Sequence, residues 1–208
     1  ELIKKTVTDH KRIIFTGNGY DDAWIKEATE TRKLLNLRTT PDAYPTLLEK
    51  KNTDMLTSHK VFSMAEIKAR YETGLENYAK TVNIEGLTMV DMAVKEIIPA
   101  IDAYVKELSE GVAVKKSAVP GIACKSETAI IKKLSELEDK AYEAAEKLET
   151  ALEKYKAIED ITKAAFFIRD TVIPDMAELR KYCDEAETLT AKKYWPFPTY
   201  GDLMFGVK

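Results

Sequence analysis

The sequence has few of the features that mark a membrane protein, a secreted protein or a metalloprotein. No apolar run is long enough to span a bilayer, and the N-terminus has no signal-peptide pattern. The chain has two cysteines, Cys124 and Cys183, whose separation does not match a metal-ligand motif. We therefore expect two free thiols rather than one disulfide, as in a protein of the reducing cytoplasm. A cytoplasmic location follows as an expectation.

An excess of positive charge is also missing. The 208 residues carry 32 Lys and Arg against 35 Asp and Glu, so the formal net charge is −3 and the pI is about 5.6. Nucleic-acid binding depends on clustered Lys and Arg that neutralise phosphates. This balance argues against nucleic acid as a partner, and the absence of a spanning run argues against a membrane. Hydrophobic residues at 45% and charged residues at 32% are ordinary for a soluble helical protein.

Residues that could perform chemistry are scarce and isolated. His10 and His59 are each followed by lysine, have no metal-ligand partner at a helical spacing, and are interpreted as structural or solvated. Cys183 falls on an apolar helical face and Cys124 in a loop, so no Cys–His pair is indicated. One helix has a glutamate-rich face, which we interpret as solvated: Glu136, Glu138, Glu143, Glu146, Glu149 and Glu153. We predict no catalytic, no cofactor-binding and no metal-binding residue.

The stretch Gly17-Asn18-Gly19 is the one candidate for a phosphate-binding loop. It follows the short apolar run Ile13-Ile14-Phe15 and precedes a predicted helix, as such loops do. It lacks the third glycine of a dinucleotide motif and the Lys-Ser/Thr pair of a P-loop. Asp21 and Asp22 stand at the coming helix N-terminus, where they would repel an anion. The residues favour a glycine turn, and phosphate binding is the minor alternative.

Three long helices are predicted between residue 63 and residue 186. Ser63 and Glu66 form a capping box, and apolar residues follow at steps of three and four through Val112. Pro99 should kink or interrupt this first helix, and Gly111 is a plausible end. Residues 115–125 are predicted to form a loop.

The second and third helices continue the same spacing. The second begins near Ser126, and its apolar residues alternate steps of four and three over four heptads: Ile130, Leu134, Leu137, Ala141, Ala144, Leu148, Ala151, Tyr155 and Ile158. The third begins near Ile161 and carries a stutter beside Pro174, which predicts a bend. Its apolar residues are Ala165, Ile168, Val172, Met176, Leu179, Cys183 and Ala186. A short connection at Glu159-Asp160 makes these two helices antiparallel.

The two ends of the chain differ from this central part. Before residue 60 the apolar pattern is broken. The end of a helix is predicted at Leu2–Asp9 and a short extended segment at Ile13–Phe15. A helix is predicted from Asp21 to about Lys33, and Pro41 should begin a short helix. After residue 193 the chain is rich in proline and aromatic residues, and we expect it to be extended and to lie in a groove of this domain or of a neighbouring subunit. The predicted fold is all-α: a short irregular and helical segment, an antiparallel bundle of three long helices, and an extended aromatic tail.

Five long motifs, spread from about Leu2 to the last residues, carry more information than these periodicities. They are HKRIIFTGNGYDDAW, LLNLRTTPDAYP, HKVFSMAEIKARYE, LENYAKTVNIEGLTMVDMAVKEIIPAIDAYVKELS and KYWPFPTYGDLMF. These motifs resemble the C-terminal part of type III glutamine synthetase, the large bacterial form of that enzyme. The chain departs from the family pattern at Thr16, where the family has Asn, and at Thr29-Glu30-Thr31.

The resemblance implies a parent enzyme that joins ammonia to the side-chain carboxylate of glutamate. ATP would phosphorylate the carboxylate, and Mg²⁺ or Mn²⁺ would neutralise the developing charge. The family's metal ligands and nucleotide-binding residues lie upstream, and none of those motifs matches a position in this chain. The chain begins at Glu1 in the middle of a pattern, so we expect it to be a piece of a longer protein.

Residues 1–60 then resemble the end of the catalytic domain and a connector, and residues 61–208 an added helical domain. The resemblance implies that this segment is structural and inactive alone. Its partners would be the rest of the parent chain and identical subunits, in a dodecamer of two hexameric rings. Two other hypotheses stay open. One is a free-standing helical module that binds a partner protein, and the other is a small nucleotide-binding protein.

Overall fold

The computed structural model describes residues 1–14 and 16–206. It divides into two compact units, of which the first comprises Glu1–Ala43 and the second begins at Tyr44. Every regular element within those described ranges is helical, which confirms the all-α prediction. No helix within those ranges has the length and apolar character needed to cross a membrane.

The first unit consists of short elements joined by turns. Helix α1 covers Leu2–Asp9, as predicted, and a 3₁₀ turn follows at Lys11–Ile13. The predicted extended segment is therefore wrong at Ile13, whereas Ile14 has extended dihedral angles (φ −85°, ψ 116°). The last residue of that prediction, Phe15, lies outside the described residues.

A second helix of this unit begins where the sequence predicts. Helix α2 covers Asp22–Lys26, a π-helical turn extends it to Thr31, and the Asp21 carboxylate caps its N-terminus. The helix ends before Lys33, contrary to the predicted boundary, because Lys33 adopts a positive φ of 56° that a right-handed helix does not contain. Helix α3 covers Thr40–Ala43 and includes Pro41 in its first turn, as predicted.

The second unit opens with a 3₁₀ segment at Tyr44–Leu48 and helix α4 at Lys50–Ser58. Helix α5, Met64–Met92, starts with the predicted capping box. The Glu66 backbone N–H donates to Ser63 Oγ at 3.3 Å, and the Ser63 N–H donates to Glu66 Oε2 at 2.7 Å. Two of the N–H groups that a helix start leaves unpaired are satisfied in this way.

Helix α5 continues through a π-helical turn, Ala93–Ile97, into helix α6, Ile98–Ala118. This turn confirms the predicted interruption, because Pro99 has no N–H to continue the α-helical ladder and the wider turn accommodates its ring. The predicted end at Gly111 is wrong. Glycine costs only about 1 kcal/mol inside a helix, and packing of α6 on the next long helix outweighs it. The loop consequently begins at Val119 and not near residue 115.

The second long helix, α7, covers Lys125–Lys156 and buries the predicted seam. Leu134, Leu137, Ala141, Leu148 and Ala151 are all at most 4% exposed, while the seam's end residues are half-buried. Two further residues, Ala145 and Leu152, are also buried, so the apolar stripe is wider than a two-position heptad seam.

The third long helix is built from two α-helical segments around a π turn. Helix α8 covers Ile161–Phe167, the π turn covers Ile168–Val172, and helix α9 covers Ile173–Glu187. The π turn lies immediately before the Ile173-Pro174 pair, where the stutter predicts a bend, so the regular α-helical ladder is interrupted at that place. With α5–α6 and α7, this helix completes the predicted antiparallel bundle.

The aromatic tail returns onto its own bundle. Trp195 and Phe197 pack against the bundle core and meet edge to face, with ring centroids 6.3 Å apart. The Tyr194 ring lies 5.3 Å from that of Tyr104 on α6. The expected groove is therefore found within this domain. The tail ends in a short helix, α10, Tyr200–Met204.

Candidate functional site

The Gly17-Asn18-Gly19 stretch forms a turn whose polar groups bond to one another. The Tyr20 N–H donates to Asn18 Oδ1 at 3.0 Å, and the Asp21 N–H donates to the Asn18 carbonyl at 3.3 Å. Asp21 Oδ1 in turn accepts the Ala23 N–H at 3.1 Å. A phosphate bound to a helix N-terminus would need that N–H, and it would meet the negative charge of Asp21. The local geometry therefore favours the turn over phosphate binding.

Both histidines occupy helix C-termini and are exposed. His10 follows α1 and His59 follows α4, and each donates its backbone N–H to a carbonyl of the helix it closes. These are solvated capping positions, as the isolated His-Lys pairs in the sequence suggest.

The two cysteines are free and buried, and they lie in different environments. Cys124 precedes α7 in a left-handed conformation (φ 43°, ψ 43°) at the end of the loop. Cys183 lies on the inner face of α9, where burial, together with Asp184, raises the pKa of its thiol to about 11. A thiol with a raised pKa stays protonated near neutral pH and is a poor nucleophile.

The glutamate-rich face of α7 is exposed except at one position. Glu136 pairs with Lys140 at 2.5 Å, which is a helical i,i+4 ion pair. Glu138 is half-buried, and desolvation, with smaller contributions from Asp102 and Asp139, raises the pKa of its carboxyl group. Within residues 1–14 and 16–206, no group of three or more His, Cys, Asp or Glu side chains is placed to hold a metal ion.

One buried carboxylate links α7 and α9. Asp175 is 6% exposed, and the Lys147 ammonium lies 2.8 Å from its Oδ1 and 2.7 Å from Glu178 Oε2. These hydrogen bonds raise the pKa of Lys147 above its ordinary value. The arrangement joins two helices and resembles a structural ion pair more than a reactive site, because the carboxylate is fully engaged by a cation.

A polar clamp fixes the start of the tail. Glu107 on α6 pairs with Lys193 at 2.6 Å and accepts a hydrogen bond from the Tyr194 hydroxyl. Both bonds lower the pKa of the Glu107 carboxyl group, and the bond from Lys193 has the larger effect. Farther along, Lys192 pairs with Asp202 of α10 at 2.6 Å. The clamp determines where the aromatic residues that follow it meet the bundle.

An apolar groove is the strongest candidate for a binding site. It encloses about 570 Å³ between the end of α5, its π turn, α9 and the tail. Its lining is mostly apolar: Ile84, Met89, Met92, Ala93, Ile97, Met176, Leu179, Cys183, Trp195 and Phe197. A volume of this size and an apolar lining with few polar groups are typical of small-molecule sites.

Sequence reasoning did not identify this groove as a site. Its residues lie about a hundred positions apart in the chain, and each helical face taken alone looks like ordinary core. The signals available were the methionine pair Met89 and Met92, and the aromatic tail, which was expected to lie in a groove.

Comparisons with known proteins agree with the resemblance seen in the motifs. A family model described as the glutamine synthetase C-terminal domain matches residues 1–116. The chain is 39% identical over 208 residues to a glutamine synthetase of Butyrivibrio fibrisolvens, a match that covers all of this chain and 30% of that protein. It is 30% identical over 212 residues to the type-3 glutamine synthetase of Dictyostelium discoideum, covering 99% of this chain and 28% of the relative.

A glutamine synthetase of Bacteroides fragilis is 25% identical over 208 residues, with 98% of this chain and 28% of the relative covered. The chain thus spans less than a third of the length of the curated relatives it matches. Because the family model matches more than half of its residues, the chain belongs to the glutamine synthetase C-terminal domain family.

Proposed function

We propose that this chain is the C-terminal part of a glutamine synthetase of the type III class, in which ATP drives the joining of ammonia to glutamate. The observation that carries the proposal is similarity along the whole chain to proteins named glutamine synthetase, at 39% and 30% identity. Similarity of this extent reaches both the short N-terminal elements and the bundle, so it is not the chance likeness of one amphipathic helix to another.

We further propose that the segment is structural and that the chemistry belongs to the upstream part of the parent. ATP and Mg²⁺ or Mn²⁺ would be bound there, because no group of three or more His, Cys, Asp or Glu side chains in the described part of this chain is placed to hold a metal ion. The bundle would support assembly of the enzyme or shield its active-site entrance. The division into a catalytic-domain end at residues 1–60 and a helical domain at residues 61–208 stays part of this proposal.

Assembly into two hexameric rings in the cytoplasm is the quaternary state that we propose for the parent. The α7 seam is already covered, since Leu134 and Leu148 are fully buried within one chain. Contacts between subunits would therefore use outer faces of the bundle, where large apolar side chains are exposed, such as Val114 and Tyr142.

The test compares three proteins: the full-length parent, the parent ending before Met64, and this chain alone. The measurement is ATP turnover that depends on both glutamate and ammonia, with light scattering to report the size of the assembly. We expect turnover by the full-length parent and none by this chain alone. Removal of the bundle should reduce the assembled fraction. Turnover by this chain alone, or an inactive full-length parent, would refute the proposal.

The free-standing interaction module is the second candidate, and one observation favours it. Helix α10 and the residue that follows it expose their large apolar side chains, with Leu203, Met204 and Phe205 at 67%, 72% and 79% exposure. The seam, which was the other motivation, is not available to a partner. A pull-down with this chain that recovers only its own parent would count against the module.

A further inference from the structure

We propose that the apolar groove between α5, α9 and the tail binds a small amphipathic molecule with an apolar body and a cationic head. This proposal goes beyond the glutamine synthetase assignment and does not depend on it. The groove is formed by residues 84–97, 176–187 and 195–197, all of which belong to the second unit.

One wall of the groove includes a π-helical turn. The π turn at Ala93–Ile97 precedes Pro99 and lies against the interior, where Ala93 is 1% exposed and Ile97 is 8% exposed. Alanine at this place leaves space that a larger residue would fill. On the opposite side, Leu179 and Cys183 form the continuation of the bundle core. π turns occur often at functional sites, where they displace a helix face in this manner.

The apolar walls of the groove can adapt to the apolar part of a ligand. Met89, Met92 and Met176 contribute unbranched, polarizable side chains, which adapt to different ligands. Trp195 and Phe197 meet edge to face at one side and offer aromatic surfaces. Cys183 adds no charge, because burial keeps its thiol protonated at neutral pH.

The polar rim determines the sign of the head group. It carries three carboxylates, Glu85, Asp184 and Glu187, and one cation, Arg180. Arg180 is engaged by Asp184 at 3.2 Å, while Glu85 and Glu187 have no ion-pair partner among the described residues. The rim therefore has an excess of negative charge beside an apolar interior. An ammonium group at the rim would gain charge-assisted hydrogen bonds, and a carboxylate would be repelled.

Trp195 provides a direct probe of the groove. The chain has two tryptophans, and a Trp24→Phe background leaves Trp195 as the single indole. We would titrate this protein with three molecules that share one apolar body: 3-phenylpropylamine, 3-phenylpropan-1-ol and 3-phenylpropionate. The expected result is a saturable change in Trp195 emission with the amine, which should bind at least about tenfold more tightly than the carboxylate.

Two variants and one control test the structural cause. Glu85→Gln combined with Glu187→Gln should remove most of the preference for the amine, whereas Glu153→Gln, an exposed carboxylate elsewhere on the bundle, should preserve it. Thr88→Phe should fill the groove and abolish binding of all three molecules. Circular dichroism melting of each variant shows whether the fold is intact.

Three results would overturn the proposal. The first is the absence of a saturable signal with the amine. The second is equal binding of the three molecules, which would indicate only non-specific apolar contact. The third is a monomer–dimer equilibrium, seen by light scattering, that Thr88→Phe disrupts. That result would show that a second copy of the chain covers the groove.

Discussion

Each of the two units of this chain is stabilised internally by a different kind of interaction. Among the described residues of Glu1–Ala43, Pro41 alone is buried, and large apolar side chains such as Leu2, Ile3 and Leu35 are at least 67% exposed. The second unit contains the continuous core, centred on Leu134, Leu148 and their neighbours. The first unit is therefore defined by local hydrogen bonds, and the second by burial of apolar surface.

Helix length explains what this difference means for stability. Helices shorter than about 12–15 residues are marginal in water unless they are packed, and α1 and α2 have 8 and 5 residues. Helix α7 has 32 residues and a buried stripe along its length. We expect the bundle to be stable alone, and residues 1–43 to depend on the rest of the parent protein that we propose.

The largest effect should come from shortening a side chain in the centre of the bundle. Leu148 is fully buried, so Leu148→Ala should lower the free energy of unfolding by about 2–5 kcal/mol, measured by urea denaturation. Leu35→Ala, at a position 67% exposed in the first unit, should leave the transition within experimental error. Equal effects of the two substitutions would remove the distinction between the units.

Ion pairs should show the same contrast with a smaller effect. Lys147→Met leaves the buried Asp175 without its cation, so the urea midpoint should fall, by less than for Leu148→Ala. Arg32→Met removes an exposed pair, Arg32 with Glu27 at 2.6 Å, and should not change the midpoint. A midpoint unaffected by Lys147→Met would show that Asp175 is not held by this pair.

The raised pKa of the Cys183 thiol should make the protein less stable at alkaline pH. Its pKa is raised to about 11 from an ordinary value of 9.0. Between pH 9 and pH 11 the thiol ionises in the unfolded chain but stays protonated in the folded chain, so ionisation favours the unfolded state. The contribution of Cys183 to the free energy of unfolding therefore falls as pH rises, by at most about 2 kcal/mol. The difference in unfolding free energy between the wild type and Cys183→Ala should therefore shrink from pH 9 to pH 11. Val172→Ala, at a fully buried position without an ionisable group, serves as the control and should show a constant difference.

Helix caps should give the smallest effect. Ser63→Ala removes the capping box of α5 and should lower the free energy of unfolding by about 1 kcal/mol. Asp21→Ala removes the cap of α2 in the first unit and should not move the main transition, because that transition reports the bundle. A comparable loss for both variants would mean that the two units unfold together.

Local signals made much of the bundle predictable. The Ser63–Glu66 capping box and the interruption at Pro99 each depend on residues close in sequence, and the structure contains both. A π turn also lies beside Pro174, where the stutter predicts a bend. The seam of α7 was predictable because the same heptad spacing of apolar residues recurs along the whole helix.

The errors arose where distant contacts decide the outcome. Gly111 resembles a helix end, but packing of α6 on α7 continues the helix to Ala118. The 3₁₀ turn at Ile13 was predicted as an extended segment, because the apolar run there is too short to distinguish a strand from 3₁₀ structure. The groove depends on Met92, Met176 and Trp195 meeting across three segments, and no local pattern contains that information.

The most direct test of the difference between the two units is amide hydrogen exchange of the 208-residue chain. Amides in the middle of α7, around Ala141 and Leu148, should exchange only through global unfolding and be the slowest in the chain. Amides of α1 and α2 should exchange orders of magnitude faster, close to the rate of an unstructured peptide. Equal protection of α1, α2 and α7 would contradict the claim that burial of apolar surface stabilises the bundle and that local polar contacts stabilise residues 1–43.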